Sequence, residues 1–363
     1  MAAVRAASGA VLRRAALAVV LLSACTTAAT QGFRLPDLGD APMPACCSLS
    51  QAPASASAPE SAAHVAPAGG DYSLDISDSD RRFRTRALVG GYAVAAGLYG
   101  YYAWWGKDVQ RNVVNEDGTV TTETLPNRTS DFHFSDEGWF GKDSVAGGAD
   151  KLGHAFSFYV STRLLAKTLD EWAGQPRADA IRIAALTSAA VSLAIEVFDG
   201  YSLEYGFSPS DMAMNLVGIG AGMLLETYPQ LDRLIDLRLQ YWPSSDSRKY
   251  GQTNPGNDYS GQTYLFVLKA SGLPELQGNP WLRYLELQFG YGSRGYAPHP
   301  GPYAPDQPVK ERNLYVGVGL NLSELLTSTF MKTPSVTRRI TEGVLEYLQV
   351  PGTNWLYEIK LDD

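Results

Sequence analysis

The 363-residue chain carries 30 Lys and Arg against 38 Asp and Glu, a net charge of −8, with 45% apolar residues and three cysteines. That length allows one large or two modest domains. Acidity without a basic cluster excludes a nucleic-acid partner, and three cysteines make no disulfide framework.

The amino terminus is a targeting segment and stands outside the fold. Arg5, Arg13 and Arg14 form a basic region, Ala15 to Leu22 is apolar, and Leu22-Ser23-Ala24-Cys25 reads as a lipobox. Residues 1–24 thus resemble a bacterial lipoprotein signal peptide, after whose removal Cys25 becomes the acylated (palmitate-bearing) first residue. A cleaved secretory signal with an incidental Cys is the alternative. Thr26 rather than Asp follows Cys25, which in lipoproteins implies sorting to the outer membrane, facing the periplasm. Three arginines and no acids leave with the signal, so 30 basic residues become 27 against 38 acidic, a net charge of −11. Simple attraction to anionic headgroups is thereby excluded, and anchoring falls to acyl chains and apolar surface. Residues 25–80, rich in Ala, Pro and Ser, read as a disordered tether. The vicinal pair Cys46-Cys47 within it has no metal-type spacing.

Residues 81–242 read as an apolar helical bundle of about four helices, and 243–363 as a small antiparallel β-rich carboxyl segment, so the expected class is mainly α. The run from Ala87 through Trp105 is uncharged and closes on Tyr101, Tyr102, Trp104 and Trp105. It has the form of a membrane span with an aromatic belt, or of a buried bundle helix. Gly90, Gly91 and Gly97 would admit a close helix neighbour. Residues 107–148 form a long polar excursion with turn chemistry at 115–118 and an aromatic run, expected to lie as a lid beside Asp150. Helices are expected at about 149–170, 177–199 and 209–227, with a weakly amphipathic stretch at 229–242. Beyond 262 the period falls to two, predicting strands at 263–270, 281–291, 312–322 and 355–361, with a helix at 335–350 capped by Ser335.

Three polar signatures sit on the apolar helices. Asp150, Lys151 and His154 share one face, continued by Ser157 and Ser161. Ser188, Ser192 and Glu196 recur every four residues, with Asp199 at i+3 and Glu204 beyond Gly200. Ser208-Pro209 begins the third helix, whose Asp211, Asn215, Gly218 and Gly222 form a narrow polar-to-small stripe. Leaving such seams unpartnered in an apolar setting costs roughly several kcal/mol per group, so they are expected to face one another. Singly, each has a plain reading: Asp150 as a cap, Ser208 and Asp211 as a capping box, His154 as a satisfied core residue. Glu196 stands in an apolar stripe and demands a cation, a metal or a proton, with Lys151 and His154 as candidate counter-charges. No established metal, nucleophile-elbow or phosphate-loop motif is present. The sequence therefore calls for no cofactor, although a divalent metal on Asp150, Glu196, Asp199 and Asp211 is compatible with it.

Asp150-Lys-x-x-His154, Glu196-x-x-Asp199-Gly and Ser208-Pro-x-Asp211-x-x-x-Asn215-x-x-Gly218 resemble the YfiM-like family of envelope lipoproteins. The Glu137-Gly-Trp-Phe-Gly141 lead-in and the Arg312-Asn-Leu-Tyr-Val-Gly strand extend the resemblance over about residues 85–325. The order of motifs is also similar, more distantly, to VanZ-like membrane domains. The resemblance implies a lipid-anchored envelope protein and brings no established activity. Two readings follow. In the first, the polar centre binds a lipid, a lipid-linked glycan or an envelope-protein partner through Asp150, Lys151, Glu204, Ser208, Asp211 and Asn215. In the second, the protein is a hydrolase or transferase on envelope lipids, with His154 as base, Glu196 and Asp199 as its carboxylates and Lys151 stabilising an anion.

Overall fold

A computed structural model describes residues 76–114, 119–127, 130–249, 255–256, 258–296 and 308–362. The lipobox with Cys25, the tether, Cys46-Cys47 and the 115–118 turn lie outside the described residues. The fold is mainly α, with a carboxyl-terminal sheet.

Helix α1 (Asp78–Gly100) starts at Ser77, whose hydroxyl accepts the Asp80 amide, and runs into a π-turn at Tyr101–Trp105. Strands β1 (Asp108–Val114) and β2 (Val120–Pro126) then form a hairpin. Helices α2 (Ala149–Glu171), α3 (Arg177–Asp199) and α4 (Pro209–Thr227) follow and pack against one another. The capping box at Ser208 is present: its Oγ accepts the Asp211 amide at 3.2 Å, with Pro209 at the first helical position. Asp150 is not a cap, because α2 starts from Gly148 at φ 88° and its carboxylate turns inward. The small stripe of α4 faces α2 so closely that a Cβ on Gly218 would collide with the Ala155 carbonyl, and one on Gly222 would sit 3.1 Å from that of Tyr159.

Helix α1 departs from expectation. A Cβ on Gly90, Gly91 or Gly97 would meet nothing within 4 Å, so these glycines admit no neighbouring helix. Among the described residues, the helix long and apolar enough to cross a membrane by length and composition is α3, which is 44% buried by protein over its most apolar window.

The 229–242 stretch is not one amphipathic helix. A short α5 (Pro229–Leu234) gives way to strand β3 (Ile235–Tyr241), so the sheet begins inside the segment read as bundle. Ile235, Leu237 and Leu239 are period-two as well as helix-compatible, and pairing with β4 (Gln262–Lys269) decides between the two. The sheet continues through β5 (Leu285–Arg294), β6 (Glu311–Leu320), β7 (Leu348–Gln349) and β8 (Asn354–Lys360), in the order β7-β3-β4-β5-β6-β8. It has six strands rather than the four expected, and β7 pairs parallel with β3. Helices α6 (Leu322–Thr329) and α7 (Val336–Tyr347) link β6 to β7, and Ser335 caps α7 by accepting the Arg338 amide.

The sheet curls strongly. Asn354 at the start of β8 donates to Gln288 of β5 and also to Gln240 of β3, at 2.8 and 2.9 Å. Its polar residues point into the curl, where Arg238 grips Asp236 and Glu286 while Gln288 and Gln349 complete the network. Most apolar alternates point outward, although Leu265 and Val267 join Arg238 and Gln288 on the inner face. Glu286 and Gln288 are 2% and 0% exposed, whereas Leu287 and Val318 are 42% and 52% exposed. Part of this outer face is covered by α2, which leaves an apolar groove of about 280 Å³ between Leu152, Ala155 and Phe156 and the strand residues Leu237, Phe266 and Phe289.

Candidate functional site

The amino-terminal turn of α2 and the start of α4 bring acids from both helices onto one lysine. Lys151 Nζ lies 3.0 Å from Asp150 Oδ2, 2.5 Å from Asp211 Oδ1 and 2.6 Å from Glu137 Oε2. Its three donors are thereby satisfied by three carboxylates, in a fully buried position. Burial alone would lower its pKa, but Asp150 and Asp211 outweigh that and hold the ammonium above its ordinary value. Asp211 is affected oppositely: burial would raise its pKa, but His154, Glu137 and Lys151 keep it below the usual carboxylate range. Glu137 is pushed up to about 7, by burial first and then by the neighbouring charge of Asp211.

His154, one turn after Asp150, occupies the open side of this cluster. Its side chain is 28% exposed, against 0% for Lys151, 7% for Asp150 and 6% for Asp211. Nδ1 lies 3.0 Å from Asn215 Oδ1, an oxygen that can only accept, so the ring donates from Nδ1. Nε2 then faces Asp150 Oδ1 and Asp211 Oδ2, each at 3.8 Å. Burial would lower its pKa, but the charges of Asp150 and Asp211 beside it raise it. Tyr259 donates to the same Asp150 Oδ1 at 2.6 Å.

Behind this cluster the α3 stripe is buried as its spacing implied, with Ser188, Ser192 and Glu196 at 0–1% exposure. Glu196 does not pair with Lys151 or His154, contrary to expectation. Its carboxyl accepts the Ser208 amide at 3.1 Å and the Asn215 side-chain amide at 3.4 Å. Burial pushes its pKa up to about 8, so it keeps a proton at neutral pH. It meets its need for a counter-charge by staying neutral. Asp199 accepts from the Trp105 indole at 2.6 Å, and burial pushes it up to about 6.

Of the predicted site residues, the fold gathers Asp150, Lys151, His154, Asp211 and Asn215, with Ser208 and Glu196 directly behind them. Glu204 is exposed and contributes its backbone amide to Asn127 instead, and Ser157 is exposed as well. The cation set expected from Asp150, Glu196, Asp199 and Asp211 does not assemble; the ligand-type atoms that converge are those of Asp150, His154 and Asp211. Two members of the site carry no spacing signal in the sequence. Glu137 belongs to the aromatic Glu137-Gly-Trp-Phe-Gly141 motif, and its extended segment runs back over the helices. There Phe134 bridges to Phe207, and Phe132 packs on Tyr201 and Phe207. Tyr259 sits in a Gly/Asn-rich break with no periodicity to mark it.

No curated protein and no solved structure matches the chain. Residues 136–227 match the model of a family described as predicted periplasmic lipoprotein (DUF2279), a span running from just before Glu137 to the end of α4. The polar centre, Tyr259 excepted, thus coincides with the matched segment, and the match supports a periplasm-facing, lipid-anchored protein of the bacterial cell envelope.

Proposed function

We propose that this chain is an outer-membrane lipoprotein, acylated at Cys25, that lays its apolar outer face on the bilayer and binds an envelope lipid or lipid-linked glycan beside its polar centre. The YfiM-like motif order agrees with this reading. The observation that carries it is the inverted polarity of the carboxyl-terminal unit. The sheet encloses Arg238, Asp236 and Glu286, while Val318, Trp355 and Tyr357 are turned outward at 52%, 66% and 61% exposure. Helix α7 repeats the pattern: Val336, Ile340 and Val344, spaced four apart, form an exposed apolar stripe. Single exposed apolar residues are ordinary on soluble proteins, but a contiguous face of them marks an interaction surface. The groove between α2 and the sheet adds an apolar slot, and Tyr264, which lines it, carries its hydroxyl to Gly153 beside His154. An amphiphile fits that pairing of apolar slot and polar end.

The test removes the acyl anchor and asks whether the fold still holds the membrane. A Cys25→Ser chain is expected to float with phosphatidylethanolamine–phosphatidylglycerol vesicles at high salt. Adding Phe289→Ser, Val318→Ser and Trp355→Ser should release it. A Cys25→Ser chain that stays wholly in the soluble fraction contradicts the reading. The hydrolase or transferase reading keeps one supporting observation, the partly open His154 flanked by two carboxylates. It loses Glu196 and Asp199 as partners of that histidine, since each is engaged elsewhere.

A further inference from the structure

We propose that Asp150, His154 and Asp211 form a binding site for one divalent transition-metal cation of the zinc class, a site independent of the lipid reading above. The inference starts from three atoms that point at one another without a hydrogen bond. Nε2 of His154 lies 3.8 Å from Asp150 Oδ1 and 3.8 Å from Asp211 Oδ2, beyond hydrogen-bonding range for either pair. All three atoms lie within 4.8 Å of one another. Ligands held about 2.0–2.2 Å from a single tetrahedral ion stand roughly 3.3–3.6 Å apart, so a small inward shift closes the set around a cation.

The surroundings orient these atoms as metal-site partners do. Asn215 accepts from Nδ1, so the neutral ring, the form that ligates a metal, carries its lone pair at Nε2, facing the gap. Lys151 takes the far oxygen of each aspartate, Asp150 Oδ2 and Asp211 Oδ1, which leaves Oδ1 of the first and Oδ2 of the second for the gap. Tyr259 steadies the near oxygen of Asp150. The donor set is one imidazole nitrogen and two carboxylate oxygens, which suits Zn²⁺ and its transition-metal neighbours better than the all-oxygen preference of Ca²⁺. Three carboxylates, those of Asp150, Asp211 and Glu137, match Lys151 and a 2+ ion in charge. Only three protein ligands converge and the histidine is partly open to solvent, so the fourth position is left for water or for a ligand oxygen.

The experiment uses the full-length protein in detergent, stripped with chelator and titrated with Zn²⁺ by calorimetry, with metal content read by mass spectrometry. One equivalent per chain is expected. His154→Gln and Asp211→Asn should each weaken binding by about 100-fold or more, and Asn215→Ala by about 10–100-fold through the lost orientation of the ring. Glu275→Gln, at an exposed acid outside the site, should bind as the parent does. No stoichiometric binding tighter than millimolar overturns the proposal, as does zinc retained equally by His154→Gln, which would place the metal on other groups such as the vicinal thiols. Should His154→Gln lose its native circular dichroism, Asn215→Ala decides: unchanged zinc affinity in that variant overturns the proposal too.

Discussion

Helix α2 buries a cation near each of its ends, and the two are treated differently. Arg163 meets Glu226 of α4 at 2.6 Å, Asp232 of α5 at 2.5 Å and Glu346 of α7 at 2.5 Å, while the Tyr159 hydroxyl accepts from it at 2.6 Å. Lys167 and Arg177 pair with the same acids, so three cations face Glu226, Asp232 and Glu346. That end is balanced and ties α2 to α4, α5 and α7. Lys151, by contrast, is among the described residues the one lysine or arginine paired with Asp150, Asp211 and Glu137. Its three donors are used up, yet two carboxylate oxygens and an imidazole nitrogen are left facing one another. One end is a strut; the other has an excess of acceptors that calls for a cation. A guanidinium with five donors suits the first role, and an ammonium with three suits the second.

The largest effect expected from breaking this contrast is at the strut. Arg163→Met removes the buried cation that joins Glu226, Asp232 and Glu346, leaving Lys167 and Arg177 to face them, and should cost about 3–5 kcal/mol in chemical denaturation. His154→Gln, at the partly open end, should cost well under half as much by the same measurement. Equal losses at the two ends would erase the distinction.

Next comes pH. Glu196 ionises near its ordinary 4.5 when unfolded but near 8 when folded, so between those values the native state holds the extra proton. Stability should therefore fall as pH rises through that window, by roughly 1.4 kcal/mol per unit from this group alone. Asp199 and Glu137, raised to about 6 and about 7, act in the same direction. Glu196→Gln should flatten the slope without disturbing the fold, because the amide resembles the protonated acid. A slope identical to that of the parent would show that Glu196 is ionised in the native state.

The smallest pair of effects concerns glycine. Gly218→Ala drives a methyl into the Ala155 carbonyl and should cost about 1–3 kcal/mol, loosening the α2–α4 contact that aligns Asp150 with Asp211. Gly91→Ala, where a Cβ meets open space on α1, should stabilise by about 0.5–1 kcal/mol. Thermal midpoints of the two variants moving in the same direction would contradict the packing described.

What the sequence disclosed follows from range. The caps at Ser208 and Ser335, the buried Ser188–Ser192–Glu196 stripe and the small face of α4 are local periodicities, and each has its expected place in the fold. Pairings that join distant segments were not legible. Glu137 reaches Lys151 from an extended segment, and Tyr259 reaches Asp150 across 109 residues. The Glu196–Lys151 pair was a sound inference from charge alone, but three other acids lie closer to the lysine. Strand β3 was missed because Ile235, Leu237 and Leu239 fit either period until a partner strand fixes one. The inward turn of Asp236, Arg238 and Glu286 could not be read without the curl of the sheet that hides them.

The contrast between the two ends of α2 is tested most directly by the effect of Zn²⁺ on thermal stability. At about 100 times its dissociation constant, a ligand specific to the native state adds about 2.7 kcal/mol of stability. The parent chain and a Glu226→Gln variant at the strut should both show this upward shift in midpoint relative to their chelator-treated forms, and His154→Gln should show none. A parent midpoint indifferent to Zn²⁺, or a His154→Gln midpoint that rises as far as that of the parent, would contradict the assignment of a cation site to the Lys151 end.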